Sequence, residues 1–236
     1  MKTLNLFLFA TLALLITTNF NLVQAQENTG SNQALMEGAG AFLVTTGTKN
    51  KDAIGSPYLY KDFALAKFSS YADEIYNVRY NAYADEIEVK IAEGKIQNFN
   101  KSLNNVVVTF VNDNVKYTSL NYIDSNDGLF RGYFVTLTES NQNVKLFAKK
   151  GIRLAIAQPA VSSYDKDKPA EFKPTDDVHF ITINGAYARE LSTKKKEIAK
   201  LFPKHSKAIL DYIKKNKIKT SREAHLINLI NFINTI

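Results

Sequence analysis

Residues 76–91 read YNVRYNAYADEIEVKI, and this stretch decides the fold. Its apolar residues occupy even positions in the first half and odd positions in the second half. One continuous strand cannot change parity in this way without a bulge, because a one-residue slip turns every side chain to the opposite face. A hairpin that turns over residues 83–86 removes the conflict and predicts an antiparallel sheet with one apolar and one polar face. The predicted facing pairs are Ala82 with Ile87, Tyr80 with Val89, and Val78 with Ile91.

Further short strands with period-two alternation surround this hairpin. The predicted strands are residues 41–46, 63–67, 106–111, 117–123, 129–137, 144–148, 152–156 and 178–183. The strand at 129–137 is apolar on nearly both faces, which predicts a central position in the sheet. Residues 157–177 contain three prolines and are predicted to form a long irregular loop. Many short strands joined by polar turns are typical of a sandwich or a partly closed barrel.

The apolar period changes from 2 to 3.6 after Ser192, which predicts two or three short helices at the C-terminus. Ser206 is a candidate N-cap for one of them, and Thr220 and Glu223 have the spacing of a capping box for the last. The predicted fold class is therefore α+β. We expect an antiparallel sheet of roughly eight to ten strands, as a sandwich or partial barrel, followed by a helical appendage.

The N-terminus predicts export to the periplasm or the medium. Lys2 precedes an apolar run at 4–16, and cleavage is expected between Ala25 and Gln26. The run is shorter than the roughly 20 residues that span a bilayer, so no membrane span is expected after removal of the signal. The predicted organisation is a signal peptide (1–25), a flexible leader (26–40), an antiparallel β domain (41–190) and a basic helical appendage (191–236).

Positive charge is concentrated in the predicted helices. Residues 189–223 hold twelve Lys and Arg against four Asp and Glu, a local charge of +8 in a chain whose net charge is +7. Clustered lysines bind polyanions by releasing counterions, although lysine is also a common surface residue of helices. The predicted anion-binding residues are Lys194, Lys195, Lys196, Lys200, Lys214, Lys215, Lys217 and Lys219. The chain has no cysteine, which excludes disulfides.

The sequence offers little for catalysis, metals or cofactors. His179, His205 and His225 lie far apart in the chain, so we predict no metal site. Phosphate-binding glycine loops are missing, so we predict no nucleotide cofactor. Glu86 and Glu88 share one predicted strand face, where paired carboxylates can act as general acid and base. The same pattern is expected of any solvated strand face, and we assign no catalytic residue.

Several motifs together resemble a known family. They are the signal peptide ending at residues 25–26, the lead-in GSPYL at 55–59, the strand RYNAY at 79–83, and a tail with KKK at 194–196, LF at 201–202 and YIK at 212–214. This combination resembles a group of small secreted proteins from Bacteroidetes, flavobacteria in particular. The resemblance covers most of the chain after the signal and implies export and a shared architecture. It brings no activity, cofactor or functional residue.

Three functions remain open on this basis. The first is a non-enzymatic envelope or secreted protein that binds a partner through the aromatic face of the sheet or through the helices. The second is a polyanion-binding module that uses the lysine-rich helices, and it requires binding that weakens with salt. The third is a hydrolase that uses Glu86 and Glu88 in a cleft. The expected partners are another envelope protein or an anionic glycan or polymer.

Overall fold

The structure is a computed structural model that describes residues 43–44, 53–162 and 164–236. The predicted signal peptide, the leader and part of the first predicted strand lie outside the described residues. The strands are β1 (Leu43–Val44), β2 (Ala64–Phe68), β3 (Tyr71–Asn81), β4 (Glu86–Ala92), β5 (Lys95–Phe99), β6 (Val107–Phe110), β7 (Lys116–Ile123), β8 (Leu129–Thr136), β9 (Val144–Lys149), β10 (Ile152–Ala155), β11 (Glu171–Pro174), β12 (Val178–Ile183) and β13 (Ala188–Glu190). The helices are α1 (Lys195–Lys200), α2 (Ser206–Lys215) and α3 (Glu223–Ile233), with a 3-10 turn at Pro203–His205.

Eleven of the described strands form one sheet, in the order β1-β5-β4-β3-β2-β6-β7-β13-β12-β9-β8. Strand β8 also pairs with β7, so β7, β8, β9, β12 and β13 close into a partial barrel of five strands. The strand pairs are antiparallel except that of β13 with β7. The predicted α+β class with a partial barrel is confirmed. The structure has more strands than expected, because β5, β11 and β13 are not among the predicted strands, and β11 and β13 are too short to show alternation in the sequence.

The hairpin formed by β3 and β4 has the predicted faces but a different register. Tyr80 faces Ile87 and Val78 faces Val89, two residues away from the predicted pairing. The turn covers residues 82–85, and the Asn81 side chain accepts a hydrogen bond from the Ala84 amide. A shift of two residues keeps every side chain on its predicted face, because strand side chains alternate with a period of two.

Two other strand predictions are corrected. Strand β2 begins and ends one residue later than the predicted strand at 63–67, and its buried residues are Ala66 and Phe68, whereas Leu65 is exposed. The segment 157–177 is not irregular throughout, because it contains β11, which pairs with β10 as a separate two-stranded sheet. In this small sheet Phe172 is paired with Leu154, and the Phe172 side chain packs in the main core. Charged residues and a proline in β11 hide the strand pattern in the sequence.

Three apolar clusters organise the chain. The largest covers the aromatic face of the open sheet, with Phe68, Tyr76, Tyr80, Phe99, Tyr117 and Tyr133. The second fills the barrel with Phe134, Phe147 and Phe180. Strand β8 serves both, because Tyr133 and Val135 face the open sheet while Phe134 faces the barrel interior. Its predicted central position is confirmed by pairing on both edges, with β7 and β9.

The third cluster joins the helices to the outside of the barrel. Leu146 and Ile181 of the barrel pack with Ile209, Leu229 and Ile230 of the helices. Each fully buried Leu or Ile contributes about 1.5–3 kcal/mol relative to an exposed one. The Asn234 carboxamide also bonds both backbone groups of Val144, at 3.0 Å to its N–H and 2.9 Å to its C=O. The helices therefore share a core with the sheet.

Candidate functional site

The start of α3 does not have the predicted capping box. Helix α3 begins at Glu223 with Arg222 as its N-cap, and no side chain bonds the cap. The buried Thr220 hydroxyl instead donates to the carbonyl of Thr193, at 2.5 Å. Ser206 is likewise the first residue of α2 and not its cap. Tertiary contacts outweigh these local patterns because a buried hydroxyl requires a partner.

The Thr193–Thr220 hydrogen bond brings two lysine-rich segments together. Lys194 directly follows one of the bonded residues, and Lys219 directly precedes the other. Consecutive Cα atoms are about 3.8 Å apart, so Lys194 and Lys219 both start close to the bonded pair. We call this surface the lysine cluster, and its members are Lys194, Lys195, Lys196, Lys214, Lys215, Lys217 and Lys219. All seven side chains are exposed.

The amines of the lysine cluster form no ion pair among the described residues, although the Glu197 carboxylate interacts with the charge of Lys194. Among the described residues, no carboxylate lies within 4.0 Å of any of the seven amines. Lys200, the eighth predicted residue, differs because its amine lies 2.8 Å from Glu197. This contact lowers the pKa of the Glu197 carboxyl, since the nearby ammonium favours the carboxylate. The structure thus brings Lys194 and Lys219 close together and pairs Lys200, unlike the other seven predicted lysines, with a carboxylate.

The predicted carboxylate pair has different surroundings. Glu88 is buried, and its carboxylate accepts bonds from Arg79 at 2.7 Å, Asn81 at 3.0 Å and the Tyr58 hydroxyl at 3.1 Å. Burial and the nearby Glu88 carboxylate raise the pKa of Tyr58 to about 12. A carboxylate that already has three donors holds the chain before β2 against the sheet, and it is not oriented toward a substrate.

Glu86 lies on the same face of the sheet as Glu88, but its carboxylate contacts a different cation. The Glu86 carboxylate lies 3.3 Å from the Lys101 amine. Burial raises the pKa of the Glu86 carboxyl, although the positive charge of Lys101 opposes that shift. The two carboxylates therefore bind separate cations, and the arrangement does not resemble a pair that acts on one bond.

A second charged group, which the sequence analysis missed, lies where the hairpin meets the barrel. The Asp85 carboxylate is 3.0 Å from the Lys149 amine and 3.4 Å from the Lys101 amine. It also accepts bonds from the Tyr80 hydroxyl at 2.8 Å and the Tyr133 amide at 3.2 Å. We call these five residues the Asp85 cluster. Asp85 has a φ of 55°, a conformation that aspartate adopts more readily than most residues.

The Asp85 cluster fills a gap in the barrel. Backbone pairing of β8 with β9 ends at Val135. Beyond it, the backbone amide of Tyr133 donates to the Asp85 carboxylate, and the backbone carbonyl of Tyr133 accepts a hydrogen bond from the Lys149 amine at 3.3 Å. Burial lowers the pKa of Lys149, and the Asp85 charge opposes this shift. A Cβ at Gly132 would lie 2.6 Å from the Lys149 amine, so glycine leaves room for the contact. These side chains replace missing backbone pairing, which indicates a structural role.

One surface loop contains a depression of about 570 Å³, lined by residues 157–161 and 165–168. The loop is closed by reciprocal backbone bonds of Gln158 and Lys168, each 2.8 Å long. Val161 and Tyr164 are almost fully exposed. The lining comes from the loop's own residues, and neither lysine segment nor either glutamate takes part in it.

Within the described ranges, no three His, Asp or Glu side chains gather closely enough to hold a metal ion. None of the helices found there is long and apolar enough to cross a membrane. Comparison with known proteins finds no matching family model, no matching curated protein and no matching solved structure. The similarity to secreted proteins of Bacteroidetes, and the export that it implies, therefore stay predictions.

Proposed function

We propose that the protein is an exported, non-enzymatic binding module whose lysine cluster binds an anionic polymer. The observation that carries this proposal is the Thr193–Thr220 hydrogen bond, which places two lysine-rich segments side by side. A dispersed set of lysines would act as ordinary surface charge, whereas lysines on two joined segments raise the local positive potential. The proposal also uses the export predicted from the N-terminal sequence.

The type of cation favours a polymer with many repeated charges. Lysine amines are flexible point charges, and they do not impose the planar two-bond geometry of a guanidinium. They suit phosphate, sulfate or carboxylate groups that recur along a flexible chain. Binding would be driven mainly by counterion release, so its free energy would depend strongly on salt.

Buried residues of the helical core lie beneath the lysine cluster. Ile198 of α1, Ile213 of α2 and Ile218 of the following turn are buried beneath it. The backbone that carries the lysines is thus fixed by the helical core, and only the side chains need to be ordered on binding. Pre-ordered backbone reduces the entropy cost of association.

The other two functions have less support. The aromatic residues of the open sheet, such as Tyr76 and Tyr80, are buried in the main core and present no surface to a partner. A hydrolase would need Glu86 and Glu88 to face a shared cleft, whereas they contact different cations. The lysine cluster needs no rearrangement to meet a polymer.

Heparin binding tests the proposal. We expect saturable binding at low salt. The slope of log K against log salt should be no steeper than about −5, because each of the seven amines that contacts an anion of a flexible polymer contributes about −0.7. A first variant changes Lys194, Lys195, Lys196, Lys214 and Lys215 to Gln. A control variant with the same loss of charge changes the exposed residues Lys67, Lys95, Lys116, Lys166 and Lys168 to Gln.

The first variant should lose most of the affinity and flatten the slope by about 3.5, in proportion to the five amines removed. The control should stay close to the unmodified protein. Equal effects of the two variants would show that only net charge matters, and the cluster would not be a site. Absence of heparin and polyphosphate binding at low salt would contradict the proposed function itself.

A further inference from the structure

Two histidines lie beside the lysine cluster at the start of α3. His225 is the third residue of that helix, and its Nδ1 accepts a hydrogen bond from the Lys219 amide at 2.9 Å. His179 of β12 places its Nε2 3.5 Å from the Glu223 carboxylate. One imidazole thus bonds the lysine segment directly, and the other faces the first residue of the same helix.

The His225 bond requires a neutral ring. A backbone amide can only donate, so the Nδ1 that receives the Lys219 N–H carries no proton. In the imidazolium form both ring nitrogens carry protons, and this bond cannot exist. Protonation of His225 would therefore release the Lys219 amide and place a new positive charge next to the cluster.

One ring nitrogen of His179 lacks a hydrogen-bond partner among the described residues. This atom, Nε2, is buried. The 3.5 Å separation from Glu223 is too long for a good neutral hydrogen bond, yet it is within ion-pair distance. A protonated ring would turn this contact into a charge-assisted bond and would neutralise Glu223, the acidic residue that begins α3.

We propose that protonation of His179 and His225 strengthens anion binding by the lysine cluster, which makes the site responsive to acid. This inference rests on the proposed function and names its regulation. Both protonations make the surface more positive, one by adding a charge and one by neutralising a carboxylate. Imidazole is the ordinary side chain whose charge changes closest to neutral pH, so a histidine is the group suited to such a response.

The other charged groups near the two rings do not cancel this effect. His225 is flanked by Lys219 in the preceding turn and by Arg222 at the N-cap, and Glu223 is the acidic residue nearest to it along the helix. Two charged groups lie near His179 along β12. The Asp177 carboxylate, just before β12, is paired with the Lys150 amine, and the exposed Glu190 of β13 is the strand partner of Phe180. Glu223 is therefore the carboxylate that the rings contact directly.

Heparin affinity at pH 7.5 and pH 5.5 tests this inference, because sulfate esters keep their charge over this range. We expect affinity to rise roughly two- to thirty-fold on acidification, the range that two added exposed ion pairs supply. His225→Gln retains an acceptor for the Lys219 amide but cannot be charged, so it should lose about half of the gain on a logarithmic scale. Glu223→Gln should bind more tightly at pH 7.5 and gain less at pH 5.5.

His205→Gln is the matched control, because His205 lies in the 3-10 turn between α1 and α2 and belongs to neither α3 nor β12. Its variant should retain the full gain, and thermal unfolding of each variant should show that the fold is kept. Heparin affinity that is equal at both pH values would overturn this inference and leave the proposed function intact. A gain that His205→Gln abolishes, or that persists in the His225→Gln and Glu223→Gln variants, would also overturn it. Failure to bind at both pH values would overturn the proposed function as well.

Discussion

The Asp85→Asn substitution should destabilise the fold, because the Asp85 cluster joins the hairpin to the barrel. Asparagine is tolerated at positive φ, so the change removes the charge without adding backbone strain. Lys149 then loses the carboxylate that lies 3.0 Å from its amine. Breaking a fully buried ion pair from one side costs about 3–5 kcal/mol. The two side chains keep 21% and 22% of their exposure, and solvent screening therefore reduces the expected loss to about 1.5–3 kcal/mol.

Urea unfolding followed by circular dichroism measures this loss, with the slope m expected to stay constant. Asp127→Asn is the control, because Asp127 also has a positive φ, of 59°, but is exposed. Its effect should lie within about 0.5 kcal/mol. Lys149→Met and the double variant complete a cycle, in which the double variant should recover at least about 1 kcal/mol relative to additivity. Equal effects of Asp85→Asn and Asp127→Asn, or strict additivity in the cycle, would refute the reasoning.

Two further predictions concern the same region and the buried tyrosines. Gly132→Ala should destabilise the fold by about 1–2 kcal/mol through overpacking, because its Cβ would lie 2.6 Å from the Lys149 amine, and a thermal-unfolding midpoint that does not fall would contradict this. Alkali should unfold the protein, because burial raises the pKa of Tyr58 to about 12 and shifts the pKa of Tyr80 and Tyr133 upward as well. A raised folded-state pKa contributes stability that is complete below the unfolded value of about 10 and is lost as the pH rises through the folded value. Phenolate absorbance should therefore rise in two stages, the second of them together with unfolding, whereas a single stage that is complete before unfolding would refute the prediction.

The fold class was predictable because it depends on local periodicity. The parity change between residues 76 and 91 predicted the hairpin and both of its faces correctly. The register was not predictable to the residue, since turns at 82–85 and at 83–86 place the same side chains on the same faces. Strands of two to four residues, such as β11, are set by their partners and carry too little pattern of their own.

The candidate site was predictable in its residue types but not in its assembly. Charge alone identified the lysines, yet their proximity depends on a hydrogen bond between residues 27 positions apart. The capping-box pattern at Thr220 gave a wrong prediction for the same reason, because the hydroxyl bonds Thr193 across the structure. Asp85 was missed because Lys149 lies far along the chain, and no local pattern connects them.

Stability and the proposed function depend on different parts of this chain. The Asp85 cluster is largely buried, and its contacts connect strands that are distant in the sequence. The lysine cluster is exposed, and exposed charges contribute little to folding. Like charges at one surface repel, so replacing lysines by glutamine should leave the free energy of unfolding unchanged or slightly raised while binding is lost. Among the described residues these amines form no ion pair that would stabilise the fold, and this supports the proposal that they bind an anionic polymer.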